Sequence, residues 1–527
     1  MGRAVHQFVP RLAWGDAVGN QVRYLRALLR SWGFDSEIFA DQTDEASATE
    51  ARPAEQYPRQ AGKDALLLIH HSFQSRLVPL LRRAPGRKAL IYHNVTPASL
   101  FEGFERKTAA ACVAAREELL ELRPLVQAAF AYSRFSAEEL AAAGYPPPRV
   151  LPFAVDWSAF DVAPDPVLRA QLDDGCRNVL FVGRGVPSKR LDDVLRVFTA
   201  YQQLHAPRSR LLIAGELNRD SAYGLYVHGQ RELLGAEQVQ FLGRVSAAQL
   251  SALYSAAHVY LSMSRHEGFG VPLLEAMYRG VPVVAYGAAA VPETMAGSGL
   301  VSLTRDPLAV ARLLAVLDHA PDLRERVVSG QKARLAALGQ DAVAAQVREA
   351  LEDVLESRDA PTPSPESWDV DVVHPTLELA PEAPSARTAR ALASALRGQA
   401  RVRLLSLKAS GWPERPAPER AAVEGDVPLF RFSPEQPLER EGGAPPRSSS
   451  LEAALRVSPA RVTLLFDCEP EAASWGPVFE RPGCVRVGAD TPAPFSLVPT
   501  EDIEARARSM ARGVLSRLPK AGPSRAS

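Results

Sequence analysis

Two short stretches of this chain concentrate the residue types that can hold a phosphorylated ligand. The first is Phe181-Val-Gly-Arg184-Gly-Val-Pro-Ser-Lys189-Arg190, an apolar run, a glycine loop and the start of a helical pattern. Loop amides and a helix N-terminus already favour an anion there. Arg184 can fork two phosphate oxygens and Lys189 adds a point charge, so the pair could stabilise a departing diphosphate without a metal. The second stretch is Arg265-His-Glu267-Gly-Phe-Gly270-Val-Pro272-Leu-Leu-Glu275. Pro272 suits a first helical turn, so Gly268, Phe269 and Gly270 form an approach where main chain can touch a ligand facing that helix. Glu267 then lies in the loop and Glu275 about one turn into the helix, two carboxylates able to accept hydrogen bonds from separate hydroxyls. Taken singly, each feature has an ordinary alternative: a solvated basic loop, a capping carboxylate, a solvated one.

These residues need strands and helices to bring them to one edge. Short apolar runs at 179–182, 211–214, 239–242, 259–262 and 281–285 read as strands, with helical periodicity between them at 222–234, 247–257 and 271–279. Ser188 reads as the N-cap of a helix carrying Leu191, Val194, Leu195, Phe198 and Tyr201. Closing helices follow at 307–317, 322–338 and 341–357. The first part of the chain alternates similarly, with strands at 65–69 and 89–92 and a helix at 114–129. Such alternation predicts parallel sheets with helices on both faces and a ligand crevice at the strand carboxyl ends.

Together these motifs resemble the large family of retaining glycosyltransferases marked by an E-x7-E pattern (glycosyltransferase family 4, glycosyl transferases group 1). The resemblance spans about residues 10–355 and is strongest over 179–285. It implies an α/β chain with the GT-B fold, two facing Rossmann-like domains, here at 1–165 on the acceptor side and 166–357 on the nucleotide-sugar side. It implies that Glu267 and the Gly268-Phe269-Gly270 backbone meet the donor sugar, that Glu275 holds the ribose, and that Arg184 and Lys189 hold the diphosphate. Phe241-Leu-Gly-Arg244-Val resembles the segment bordering the base. Gly15, in Gly15-Asp-Ala-Val-Gly19-Asn20, occupies the family's first glycine turn, with its two glycines separated rather than adjacent. Tyr92-His93-Asn94-Val95 resembles the strand-end histidine motif near the reacting sugar, which makes His93 a catalytic candidate beside Glu267; a satisfied core histidine is the competing assignment. The expected donor is a UDP- or GDP-linked sugar with no separate cofactor and no metal, and the expected acceptor a saccharide or lipid-linked hydroxyl in cell-envelope polysaccharide or glycolipid synthesis. A non-catalytic scaffold, or an epimerase or phosphorylase on the same architecture, are the rival readings.

Composition bounds the rest. Apolar residues are 46% and charged residues 23% of 527, which suits a soluble globular enzyme of two or three packed units. Lys plus Arg and Asp plus Glu both total 61, so no overall field gathers nucleic acid. Cys112, Cys176, Cys468 and Cys484 are far apart and form no metal or disulfide pattern. With no signal peptide and no apolar span, the expected location is cytoplasmic, at most peripheral at the inner face of a membrane. Residues 358–460 read as a Pro/Ser/Arg-rich linker and 461–527 as a small module with strands at 462–466 and 484–487 and a helix at 501–516, a largely disordered extension not needed for chemistry. Within it, 385–408 is basic with interleaved leucines, and a membrane-lying amphipathic helix is weighed there against a solvated segment. Asp369-Val370-Asp371 has the form of a metal-binding pair, but its Pro-rich setting after a complete donor domain argues for coincidence.

Overall fold

A computed structural model describes residues 3–57, 64–356, 368–377, 381–397, 399–407, 419–422, 427–432, 448–457, 460–466, 483–487, 495 and 502–518. The chain divides into two units: Met1–Ser136 with Arg149–Ala360, and Ala137–Pro148 with Pro361–Ser527.

The first unit holds two sheets. Strands β1 (Val5–Leu12), β2 (Ile38–Thr43), β3 (Arg52–Pro53), β4 (Leu66–His71), β5 (Arg87–Tyr92), β6 (Ala128–Ala131) and β7 (Arg149–Val150) form a seven-stranded sheet in the order β3-β2-β1-β4-β5-β6-β7. All its pairings are parallel. Its helices are α1 (Ala17–Ser31), α2 (Val78–Arg83), α3 (Arg106–Leu122) and α4 (Arg134–Ala142), the last shared between the two units. β4 is buried at every position, as expected of a central parallel strand covered on both faces. The helix expected at 114–129 instead ends at Leu122, because Pro124 enters a 3-10 turn and 128–131 becomes a strand. Helix α1 enters closely: a Cβ on Gly19 would stand 2.5 Å from the Ala13 carbonyl oxygen, so only glycine fits.

After α5 (Pro166–Leu172) comes the second sheet: β8 (Arg177–Val182), α6 (Leu191–Leu204), β9 (Ser209–Ala214), α7 (Ala222–Leu233), β10 (Val239–Gly243), α8 (Ala247–Ala256), β11 (Val259–Ser262), α9 (Val271–Tyr278), β12 (Val283–Tyr286), α10 (Val291–Met295) and β13 (Leu300–Ser302). The strand order is β10-β9-β8-β11-β12-β13. It reverses between β8 and β11, the switch point beside which a doubly wound sheet opens its crevice. Helices α11 (Pro307–His319), α12 (Pro321–Ala336) and α13 (Gln340–Glu356) follow. The last leaves the lobe to which the sequence assigned it. The Arg87 guanidinium bonds the Val354 and Leu355 carbonyl oxygens at 2.8 Å, Arg149 meets Asp353 at 2.6 Å, and Val347, Ala350, Leu351 and Leu355 join a core that also contains Val5, Leu66 and Ala89. One hydrophobic core therefore runs through both lobes of this unit.

The second unit carries a third sheet where a linker was expected. β14 (Val370–Val373), α14 (Pro384–Leu396), β15 (Val402–Leu407), β16 (Glu419–Ala422), β17 (Pro428–Phe432), α15 (Ser449–Val457), β18 (Val462–Phe466), β19 (Cys484–Val487) and α16 (Ile503–Leu515) give the order β16-β17-β15-β14-β18-β19, parallel except for β16. The disordered-linker expectation for 358–460 thus fails over its described residues. Polar, proline-rich connectors dominate the composition there and mask strands of only four to six residues. Val462–Phe466 and Cys484–Val487 are strands as expected, while most of 359–367 and 434–450 lies outside the described residues. The membrane-helix reading of 385–408 is overturned too. Its described residues form a helix and then a strand, and Ala386, Ala389, Leu392, Leu396 and Leu404 are buried in the unit's own core. Asp371 is fully buried and paired with Arg403 at 2.8 Å, and Asp369 bonds the Arg401 main chain at 2.9 Å, so both carboxylates have structural work.

Candidate active site

The two motif loops meet at the switch point. Pro187–Lys189 form a 3-10 turn after β8, and Arg190 then adopts a left-handed conformation with φ 53° before α6 begins. Ser188 is therefore not the helix cap. Its carbonyl oxygen instead accepts from the Arg265 amide at 2.9 Å, tying the loop after β8 to the loop after β11. The Arg190 guanidinium is turned away from the ligand loops toward Asp192, at 2.5 Å, and Asp193, at 2.9 Å. Within this clasp the Lys189 ammonium lies 2.7 Å from both carboxylate oxygens of Glu267.

Glu267 opens the glycine loop. Its carbonyl oxygen accepts from Ala290 at 3.2 Å, Thr294 donates to the Phe269 carbonyl oxygen, and Gly270 takes φ 95° as the residue before α9. Pro272 sits in the first turn of α9, as the sequence predicts, with the positive end of the helix facing the loop. Glu275 lies in α9, one turn on. It accepts a hydrogen bond from Tyr254 at 2.8 Å, while burial pushes its carboxyl above the ordinary range, with the Tyr254 bond pulling partly back. Tyr254 is a site residue that sequence reasoning missed, since nothing local marks a tyrosine on α8 as a partner of α9.

The first lobe closes on this loop. A Cβ on Gly268 would stand 2.4 Å from the His93 carbonyl oxygen, so glycine is what lets the lobes approach. Asn94, held at φ 71°, donates to Ser136 at 3.0 Å and accepts from His266 Nε2 at the same distance. Asparagine tolerates this left-handed conformation better than most side chains. Burial, helped by Arg116 and Lys189, holds His266 well below the usual histidine range and so keeps it neutral. Phe153 stacks on Phe269 at 4.6 Å, and Glu293 accepts from the Arg134 amide at 2.6 Å, two further bridges between the lobes.

The remaining candidates sit further out. Arg184 is exposed in the same loop as Lys189. Arg244 follows the edge strand β10, is 85% exposed, and meets Glu216 at 3.5 Å. Gly15 follows β1 with φ 72°, also exposed. The structure thus brings Lys189, Glu267, Gly268, Phe269 and Gly270 together with the His93 backbone, sets Glu275 one helical turn away, and leaves Arg184, Arg244 and Gly15 on the surrounding carboxyl-end loops. Among the described residues no group of three or more His, Cys, Asp or Glu could hold a metal ion, and no helix is long and apolar enough to cross a membrane.

Residues 169–334 match the family model for glycosyl transferases group 1. This part of the chain belongs to that family. The group 1 segment contains Arg184, Lys189, Arg244, Glu267 and Glu275, whereas Gly15 and His93 lie outside it. Among curated proteins, the chain is 32% identical over 134 residues to an O-antigen chain mannosyltransferase B of Escherichia coli, covering 25% of this chain and 34% of the relative. It is 30% identical over 203 residues to a D-inositol 3-phosphate glycosyltransferase of Streptosporangium roseum, covering 37% and 46%. The matched stretches thus span less than half the length of these relatives. Among solved structures, a sucrose-phosphate synthase from Thermosynechococcus elongatus superposes with a TM-score of 0.53 at 19% identity, covering 67% of this chain and 99% of that one. An α,α-trehalose 6-phosphate synthase from Burkholderia multivorans does so with a TM-score of 0.52 at 13% identity, covering 68% and 100%. These likenesses carry the GT-B fold of two Rossmann-like lobes.

Proposed function

We propose that the protein transfers a sugar, with retention at the anomeric carbon and without a metal, from a nucleotide diphosphate donor to a hydroxyl acceptor. The observation that carries this reading is the Lys189–Glu267 pair at 2.7 Å beside the Gly268–Gly270 loop and the N-terminus of α9. Without donor the two charges neutralise each other. A diphosphate offers Lys189 a more highly charged partner, with Arg184 exposed in the same loop to fork its oxygens, and Glu267 is then released toward the sugar. As the glycosidic bond lengthens, negative charge grows on the diphosphate next to Lys189 and the amides of the loop. Positive charge grows on the sugar next to Glu267. Glu275, one turn into α9 and oriented by Tyr254, is set to take the ribose hydroxyls.

A UDP- or GDP-linked hexose is the proposed donor. The names of the relatives, mannosyltransferases and inositol phosphate glycosyltransferases, support an acceptor in cell-envelope polysaccharide or glycolipid synthesis. The test combines thermal shift with turnover on UDP-, GDP- and ADP-sugars, since a ligand bound only by the native state raises apparent stability. The anomeric configuration of the product and activity in EDTA complete it. No shift and no turnover with any of them would refute donor binding; an inverted product would refute retention; loss in EDTA restored by magnesium or manganese would refute metal independence.

A further inference from the structure

A polar row crosses three neighbouring strands of the first sheet. Gln7 on β1 stands in register with Leu68 on β4, and His70, two residues further, stands in register with Ile91 on β5, two before His93. With a side-chain period of two, Gln7, His70 and His93 share one face and step diagonally toward the carboxyl edge. They are joined end to end. Gln7 Nε2 lies 3.1 Å from the Val22 carbonyl oxygen of α1, Gln7 Oε1 3.0 Å from His70 Nε2, and His70 Nδ1 2.9 Å from His93 Nε2.

The chemistry of the first contact sets the direction of all three. A main-chain carbonyl can only accept, so Gln7 meets Val22 with its NH2 and turns its amide oxygen to His70. An amide oxygen also only accepts, so His70 carries its proton on Nε2 and has a lone pair at Nδ1. His93 must therefore donate from Nε2, which leaves its own Nδ1 as an acceptor. Both rings stay neutral: burial pushes His70 down to about 3, and burial with His70 and His71 nearby holds His93 well below its ordinary value. Among the described residues Nδ1 of His93 has no hydrogen-bond partner, and the His93 backbone lies against Gly268 of the loop that precedes α9. What reaches that position in the proposed reaction is the donor sugar.

We propose that Gln7 and His70 are positioning residues that fix His93 as its Nε2–H tautomer, so that Nδ1 accepts a hydrogen bond from a hydroxyl of the donor sugar. This rests on the function proposed above, since the hydroxyl belongs to that donor. Toward the sugar, through Nδ1, the network makes His93 an acceptor and never a donor, a distinction invisible in the bare presence of a histidine.

The test uses the full chain with 15N-labelled histidine and three variants, His70→Leu, His70→Asn and Gln7→Leu, each checked for folding by thermal melt. In the unaltered protein His93 Nδ1 should resonate as a bare imidazole nitrogen and Nε2 as a protonated one. His70→Leu removes the acceptor, so the His93 tautomers should mix and kcat fall about ten-fold, the size of one hydrogen bond gained in the transition state. The affinity for nucleoside diphosphate should stay. Asparagine at position 70 returns an acceptor oxygen where Nδ1 stood, and His70→Asn should restore both the tautomer and most of kcat. If His70→Leu does not fold, Gln7→Leu, which frees His70 to change tautomer, should mix the His93 signals in its place. Donors lacking one sugar hydroxyl, or carrying fluorine there, give a further reading, because fluorine cannot donate. At one position both analogues should be penalised by the unaltered protein and much less so by His70→Leu. An unchanged His93 spectrum in both His70→Leu and Gln7→Leu, or a changed one with kcat intact, overturns the proposal. If no nucleotide sugar is turned over at all, the donor reading fails and the hydroxyl contact with it, while the nitrogen spectrum still decides the tautomer network on its own.

Discussion

Glu267 and Glu275 differ in what surrounds them, and that difference predicts different defects. Glu267 is held by Lys189 at the mouth of the glycine loop, whereas Glu275 is half-buried in α9 against Tyr254. Glu267→Ala should therefore lower kcat more than it weakens binding of nucleoside diphosphate. Glu275→Ala should weaken that binding by about 1.5–3 kcal/mol, the loss of a charged hydrogen bond. Titration calorimetry with the nucleoside diphosphate beside steady-state kinetics separates them, and the opposite assignment of defects would reverse the two roles. His71 offers a pH test. It is fully buried, donates to the Ala115 carbonyl oxygen through Nε2 at 2.9 Å, and burial pushes it down to about 4. Because a carbonyl only accepts, the proton must sit on that nitrogen. The unfolded chain binds a proton at His71 near pH 6.5 and the folded chain does not until about pH 4, so its contribution to stability is lost as pH falls between these values. Measured as the difference in unfolding free energy between the unaltered chain and His71→Phe, this contribution should shrink by about 2 kcal/mol from pH 7 to pH 5. Taking the difference cancels the carboxylates Glu118, Glu275 and Glu293, whose raised values act in the opposite sense. A difference flat in pH would mean that the ring is open to water.

At the level of elements, what could be read in the sequence was what is local. β11 spans Val259–Ser262 as expected, because a four-residue apolar strand between a capped helix and a serine-glycine loop has no other periodicity to satisfy. The glycine loop before α9 was equally legible, since Gly270 and Pro272 carry their backbone preferences with them. The union of Lys189 with Glu267 spans 78 residues and that of His70 with Gln7 spans 63, so no spacing rule contains them. His70-His71 closing an apolar run was the only local trace of the second. Helix α14 shows the reverse case, where a real amphipathic face was weighed between a membrane and solvent and packs instead into the core of its own unit. Its apolar side is narrow and alanine-rich, which hides a core helix, yet Leu392 and Leu396 are fully buried beside Ala507, Met510 and Val514 of α16. Leu392→Ala should thus cost about 2–5 kcal/mol, read as a lower urea midpoint. A face laid on lipid would give another pattern: stability unchanged in solution and binding to anionic vesicles reduced.

For the molecule as a whole, the sequence suggested that everything after about residue 357 could be dispensed with. The division into units argues otherwise. Residues 137–148, which begin inside α4, belong with 361–527, and Ala137, Leu140, Ala143 and Tyr145 among them are buried. A chain cut after Glu356 keeps this segment but loses the rest of its unit, so it should melt at a lower temperature than the full chain and aggregate on concentration. Scanning calorimetry beside light scattering checks this, and a truncated chain with an undiminished melting temperature would show the third sheet to be an appendage. The same discontinuity bears on how the protein is made. The 212 residues from 149 to 360 separate the two parts of the second unit, and a ribosome adding roughly 5–20 residues per second spends about 10–40 s between them. For that interval the nascent chain displays Leu140 and its apolar neighbours before their own unit exists, a natural holding point for a chaperone and a reason for low yield when translation runs ahead of chaperone supply.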